Sequence, residues 1–147
     1  MPNRAAASAV ELHGYLAYIV VCALTGREYT IYGYNGKRVR DLIHSHDVAQ
    51  LFLEFYKNPR PGEVYNLGGG RQNSLSILET IEMLAQMGYH LRYSYNPTNR
   101  VGDHICYISD LRKIRTHFPN WQIKHDLPKI FSESVERRLK LTDGVTL

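Results

Sequence analysis

Two arginines, Arg40 and Arg100, stand far apart along a chain of 147 residues, each inside a short polar block. The first block reads Arg38-Val-Arg-Asp-Leu-Ile-His44, the second Asn99-Arg-Val-Gly-Asp-His104. A guanidinium offers a planar fork of donors, so two of them brought in from separate segments can clamp a pyrophosphate. Asp41 and Asp103 sit beside the arginines and can orient those forks or accept sugar hydroxyls. The same four residues can equally form two surface salt bridges, and spacing alone leaves both readings open.

Other chemistry is thinner. Gly68-Gly69-Gly70 follows an apolar stretch and could bring backbone N–H groups to a phosphate, but no Gly-x-Gly-x-x-Gly and no P-loop lysine accompanies it. The triplet therefore reads first as a tight exit from a strand. His44, His46 and His104 suggest zinc only loosely, since no cysteine or further histidine stands at ligand spacing, and metal binding is not expected. His44 reads better as a half-buried hydrogen-bonding residue. No Gly-x-Ser-x-Gly elbow occurs, and none of the eleven tyrosines has a lysine four positions later. No catalytic residue is assigned.

The elements that must position the arginines follow from turn and cap signals. Val10 to Leu24 reads as a helix stopped by Gly26, and Tyr29 to Tyr32 as a strand. Tyr34-Asn35-Gly36 is a turn, and Val39 to His44 returns extended. Ser45 is expected to cap a helix with Asp47 in its first turn and Val48, Leu51, Phe52 and Phe55 on its buried face. Asn58-Pro-Arg-Pro-Gly62 ends it, and Glu63 to Leu67 reads as a strand. Ser76 and Glu79 have capping-box spacing for a helix containing Ile77, Ile81 and Leu84. Leu91 to Tyr95 reads as a strand, and Asn96 to Asp103 as a loop. Ser109 or Asp110 is expected to cap a short helix reaching Phe118. Trp121 is an aromatic anchor, and a final helix is expected from Leu127 to Leu139. Alternating strands and helices predict an α/β domain over residues 1–140 with a mobile tail over 141–147.

Composition narrows the class. Hydrophobic content of 44% with 22% charged residues is that of a globular domain able to bury a core. The net charge of +4 comes from scattered cations without a nucleic-acid-binding motif, so no nucleic acid is expected as partner. The apolar run Leu16 to Leu24 is far short of the ~20 residues that span a bilayer. Cys22 and Cys106 are isolated thiols that fit a reducing cytoplasm.

Five segments in order carry a resemblance: Glu11-Leu-His-Gly-Tyr-Leu-Ala-Tyr18, Tyr29-Thr-Ile-Tyr-Gly33, Gly36-Lys-Arg-Val-Arg-Asp-Leu-Ile-His44, Val64-Tyr-Asn-Leu-Gly-Gly-Gly70 and Asn99-Arg-Val-Gly-Asp-His104. Together they resemble the C-terminal half of the extended short-chain dehydrogenase/reductase family of nucleotide-sugar epimerases and dehydratases. The Glu-Leu-His-Gly and Arg-Val-Gly-Asp-His stretches are most similar to those of 2-epimerases acting on CDP-sugars. The resemblance implies that Arg40 and Arg100 contact a substrate diphosphate and that Asp103 lies against the nucleotide. Thr30 to Tyr32 would line the base pocket, with Thr30 and Tyr32 its candidate contacts. Glu11 and Leu12, with His13 a weaker candidate, would approach from the first helix. Arg38 stands where the family usually has glutamine and adds charge near the clamp.

The family uses NAD held by an N-terminal half that also carries a Tyr/Lys pair, and neither determinant occurs in this chain. The resemblance therefore implies a substrate-gripping portion, inactive alone, that partners a nucleotide-sugar and either a cofactor-bearing half or another copy of itself. Val64 to Leu67 would be a strand of the cofactor-domain sheet, here an unpaired edge with exposed apolar surface and a cause of marginal stability. The alternative is a non-catalytic module recognising a nucleotide diphosphate or another anion.

Overall fold

The computed structural model of the chain describes residues 14–143, with side chains described to residue 141. Glu11, Leu12 and His13 lie outside the described residues. Helix α1 (Tyr15–Thr25) ends at Gly26, whose φ of 69° places it in the left-handed conformation that a glycine adopts without steric cost. Strand β1 (Tyr29–Tyr32) leads into a 3-10 turn at Tyr34–Gly36, and β2 (Val39–Asp41) returns. Helix α2 (Ser45–Lys57), β3 (Ser74–Ser76) and α3 (Ile77–Gln86) follow. The rest comprises β4 (Tyr93–Asn96), β5 (Cys106–Tyr107), α4 (Arg112–His117) and α5 (Leu127–Asp143).

The strands form two small sheets. β1 pairs in parallel with β4, Tyr29 opposite Tyr93 and Tyr32 opposite Asn96. β2 is the centre of the other, antiparallel to β3 with Arg40 opposite Leu75, and parallel to β5 with Arg40 opposite Tyr107. Arg40 is thereby held on a strand paired on both sides.

Two apolar clusters anchor this frame. In the first, Ile19 and Val20 of α1 meet Leu75, Leu84 of α3, and Phe131 and Val135 of α5. The second joins Leu51 of α2 to Leu111, Ile114, Phe118 and Trp121. Capping supports α3 as expected: the Ser76 hydroxyl accepts from the Glu79 N–H, and the Glu79 carboxylate accepts from the Ser76 N–H.

Several expectations are corrected. His44, not Ser45, caps α2, because its extended backbone lets Nδ1 accept the His46 N–H at 3.0 Å. The buried stripe of α2 runs through Asp47 and Leu51, leaving Phe52 64% exposed. The cause is Asp47: its carboxylate takes the backbone N–H groups of Lys124 and His125, and its carbonyl takes the Trp121 indole N–H at 2.8 Å. These bonds rotate that face of the helix toward the segment 121–125.

Residues 63–67 form no ladder, since no strand edge among the described residues lies beside them. Lys113 pins this segment instead, pairing with Glu63 and donating to the Val64 carbonyl, while the Val64 side chain is exposed. The strand or extended segment expected over Val39 to His44 is laddered at Val39 to Asp41 and extended at His44, whereas the strand expected at Leu91 is Tyr93–Asn96. At the start of α4, Leu111 occupies the cap position, but the Asp110 carboxylate beside it accepts the Arg112 N–H at 3.0 Å, while the Ser109 hydroxyl caps nothing. Helix α5 continues past Leu139 to Asp143, with a Lys140–Glu136 pair one turn apart and no glycine or proline between Leu139 and Gly144. Part of the expected tail is thus helical.

Candidate functional site

The turn at Tyr34–Gly36 reverses the chain so that the residues after it face β1. Tyr34 and Asn35 both have positive φ, 49° and 52°, a conformation in which asparagine is common and tyrosine is not. Gly33 (φ 62°) is required for packing as well: a Cβ there would lie 1.8 Å from the Asn99 side-chain oxygen, so the second polar block closes directly over it.

The result is a small niche of ≈ 90 Å³ lined by Tyr29 to Gly33, Gly36, Arg38, Arg40, Arg100 and Asp103, with Tyr15 and Ile77 completing the wall. It adjoins an outer cleft of ≈ 600 Å³, and the two share Tyr15, Arg40, Arg100 and Asp103. Thr30, Tyr32, Arg40, Arg100 and Asp103, each assigned from sequence, are therefore brought to one place.

Each cation is held differently. Arg40 donates from Nη2 to Asp103 Oδ1 at 2.5 Å and to the His104 carbonyl at 2.6 Å, and from Nη1 to the Val39 carbonyl at 2.7 Å. Burial, and then the charge of Arg38, pulls the Arg40 guanidinium below its usual value, although arginine stays protonated. Arg100 is exposed and lies over the Tyr32 ring, its Cζ 4.4 Å from the centroid. Arg38 is buried and forms an ion pair with the other oxygen of Asp103. One carboxylate thus faces two guanidiniums, and the site keeps an excess of positive charge. Burial raises the Tyr15 phenol, and it pushes Tyr29 up to about 12, so both tyrosines are neutral walls at physiological pH.

Asp41 lines the outer cleft but not the niche. Its Oδ2 accepts the Gly70 N–H at 2.8 Å and the Ser109 N–H at 3.0 Å, which ties β2 to the glycine triplet. That triplet is itself packed shut: a Cβ at Gly68 would meet the Asp41 carboxylate and the Ser109 hydroxyl, and one at Gly69 the Leu42 carbonyl at 1.9 Å. Close backbone packing, not an approaching phosphate, accounts for these glycines. A dinucleotide pyrophosphate has no cradle there, so NAD does not fit the only glycine-rich turn of the sequence.

The histidines separate. His104 stays with the arginines, whereas His44 stacks on His125 at 4.1 Å with His46 edge-on at 5.3 Å. His125 is a third histidine that spacing did not reveal, and with His44 and Glu133 it places ligand-type atoms within 4.8 Å of one another. Both His44 nitrogens, a Glu133 oxygen and His125 Nδ1 already make hydrogen bonds. His44 Nδ1 accepts the cap N–H, so Nε2 carries the proton and donates to Glu133 at 2.8 Å. His125 Nδ1 faces Asp47 Oδ1 at 3.0 Å.

Tyr15 and Arg38 line the niche without having been assigned from sequence. For Arg38 a signal existed, because residues two apart on extended chain point the same way, and Arg38 precedes Arg40 by two.

Residues 7–68 match the NAD dependent epimerase/dehydratase family. The chain is 34% identical to the CDP-paratose 2-epimerase of Salmonella typhi over 101 residues, which cover 67% of this chain and 29% of that protein. A solved structure of UDP-glucose 4-epimerase with UDP-glucose from Thermotoga maritima superposes with a TM-score of 0.77 at 28% identity, over 88% of this chain and 40% of that one. UDP-glucuronic acid 4-epimerase from Bacillus cereus, solved with UDP-glucuronic acid and NAD, gives 0.75 at 21% identity over 86% and 40%. The chain spans less than a third of the curated relative and about two fifths of these solved chains. By sequence over residues 7–68 and by fold over most of its length, the chain matches a part of the NAD-dependent epimerase/dehydratase family.

Proposed function

We propose that this chain grips a nucleotide-sugar, with a CDP-sugar as its ligand, through Arg40 and Arg100 on the diphosphate and the Thr30 to Tyr32 strand around the base. Asp103 orients the Arg40 fork, and Glu11 and Leu12 are proposed to approach from the start of the chain. The observation that carries this reading is the convergence of both arginines, Asp103 and β1 on one niche opening into a wider cleft. The similarity to CDP-paratose 2-epimerase supports cytidine as the nucleoside and 2-epimerisation of CDP-paratose to CDP-tyvelose as the reaction served.

That reaction moves hydride to and from NAD, chemistry that belongs to the cofactor. The chain's own residues supply grip and orientation, and turnover requires a cofactor-bearing half. Isothermal titration with CDP, a CDP-sugar and NAD tests the proposal. Binding of both cytidine ligands without NAD binding or epimerisation is expected. Tight NAD binding or unaided turnover would overturn the reading of a gripping portion, and absence of any CDP binding would overturn the grip.

A further inference from the structure

The relatives include proteins of CDP-, UDP- and dTDP-linked sugars, so the base is the open variable of this site. One niche residue has unspent recognition capacity. Arg38 is only 6% exposed, and none of its three buried guanidinium nitrogens has a hydrogen-bond partner. Its Nη1 side meets the Asp103 carboxylate, and the Tyr34 ring packs against the guanidinium, with Cζ 4.9 Å from the centroid. Nε and Nη2 lie along one edge of the guanidinium, so what remains is a planar, two-donor edge. Buried cationic donors left unpaired are costly, and a ligand that pairs them recovers that cost as affinity.

The location decides what that ligand group is. Arg38 lines the inner niche but not the outer cleft, whereas Arg40 and Arg100 line both. At ≈ 90 Å³ the niche takes one part of a ligand only, and its walls are the aromatic and aliphatic side chains of Tyr29, Ile31, Tyr32 and Ile77. Such walls suit a flat ring, while the diphosphate belongs with the arginines at the mouth. A base that satisfies a two-donor edge must present two adjacent acceptors. Cytosine does so with O2 and N3. Uracil and thymine carry N3–H, which would set donor against donor.

Resting on the nucleotide-sugar reading above, we infer that Arg38 is the base-selecting residue of this site, pairing its Nε/Nη2 edge with cytosine O2 and N3 and rejecting uracil. The test measures the affinity of the full chain for CDP, UDP, 3-deaza-CDP (N3 replaced by C–H) and inorganic pyrophosphate. CDP is expected to bind about tenfold or more tightly than UDP or 3-deaza-CDP, the scale of a hydrogen bond to a buried charged group. Arg38→Gln, whose amide can pair with either base, is expected to bring CDP and UDP within about twofold of each other.

Equal binding of CDP and UDP, or of CDP and 3-deaza-CDP, would overturn the base assignment while leaving the diphosphate grip intact. A preference that survives in Arg38→Gln would do the same. Silence toward all four ligands would overturn the grip, and the base contact with it. The 3-deaza comparison uses the unaltered protein, so the inference stays falsifiable even if Arg38→Gln fails to fold.

Discussion

The niche around Arg38 and the junction around Asp47 both bury a charge, yet they treat it in opposite ways. Asp47 is 0% exposed, and its carboxylate accepts from two backbone N–H groups and faces the His125 ring. Arg38 is nearly as buried but shares the Asp103 ion pair with Arg40 and makes no hydrogen bond from any guanidinium nitrogen. A charge with all its partners inside the chain holds the fold together. A charge whose partners are incomplete stores binding capacity, and the difference separates frame from site within one small domain.

The largest effect that tests this contrast is on the frame. Asp47→Ala is expected to cost about 3–5 kcal/mol in urea denaturation, because it removes the buried carboxylate and leaves the Lys124 and His125 N–H groups and the His125 ring unpaired. A loss below about 1 kcal/mol would mean that the junction is not structural. On the site, Arg40→Ala combined with Arg100→Ala is expected to weaken CDP binding about a hundredfold, near 2.7 kcal/mol. CDP binding that survives the double change would remove the clamp.

Acid should separate the two regions as well. Burial pushes the Asp47 carboxyl up, but hydrogen bonds from the His125 side chain and backbone and the Lys124 backbone outweigh it, and its pKa lies below the ordinary value. A depressed carboxyl stabilises the fold above its unfolded pKa of about 3.9, and the contribution is lost as pH falls through the folded value. Melting curves of the unaltered chain should therefore fall on acidification below about pH 4 more steeply than those of Asp47→Asn, and parallel curves would refute the assignment. The smallest effect is at α3, where Ser76→Ala should cost about 1 kcal/mol through its cap and leave CDP affinity unchanged.

Local signals read true where a single segment decides its own conformation. Gly26 ends α1, Ser76 and Glu79 cap α3, and β1 spans the expected Tyr29 to Tyr32. They misled wherever a distant group competed. The Asp47 junction turned Phe52 outward, and residues 63–67 had no neighbouring edge on which to become a strand, whereas the move of the cap from Ser45 to His44 was a local contest between adjacent residues. Burial of a helix face and pairing of a strand are properties of what lies opposite, which no local window contains.

From its own sequence the chain determined the types and order of its site residues: two forked cations in separate blocks, an aspartate beside each, and an aromatic strand before a turn. Spacing left open which aspartate serves the niche, a resemblance pointed to Asp103, and the tertiary structure supplies the reason. Asp103 reaches the arginines because Gly33 lets the Asn99 loop close over β1, while Asp41 is drawn into the backbone of Gly70 and Ser109. It also decided that Arg38 keeps an unpaired edge, since hydrogen-bond satisfaction depends on every neighbour at once and adjacency along the chain reveals only one of them.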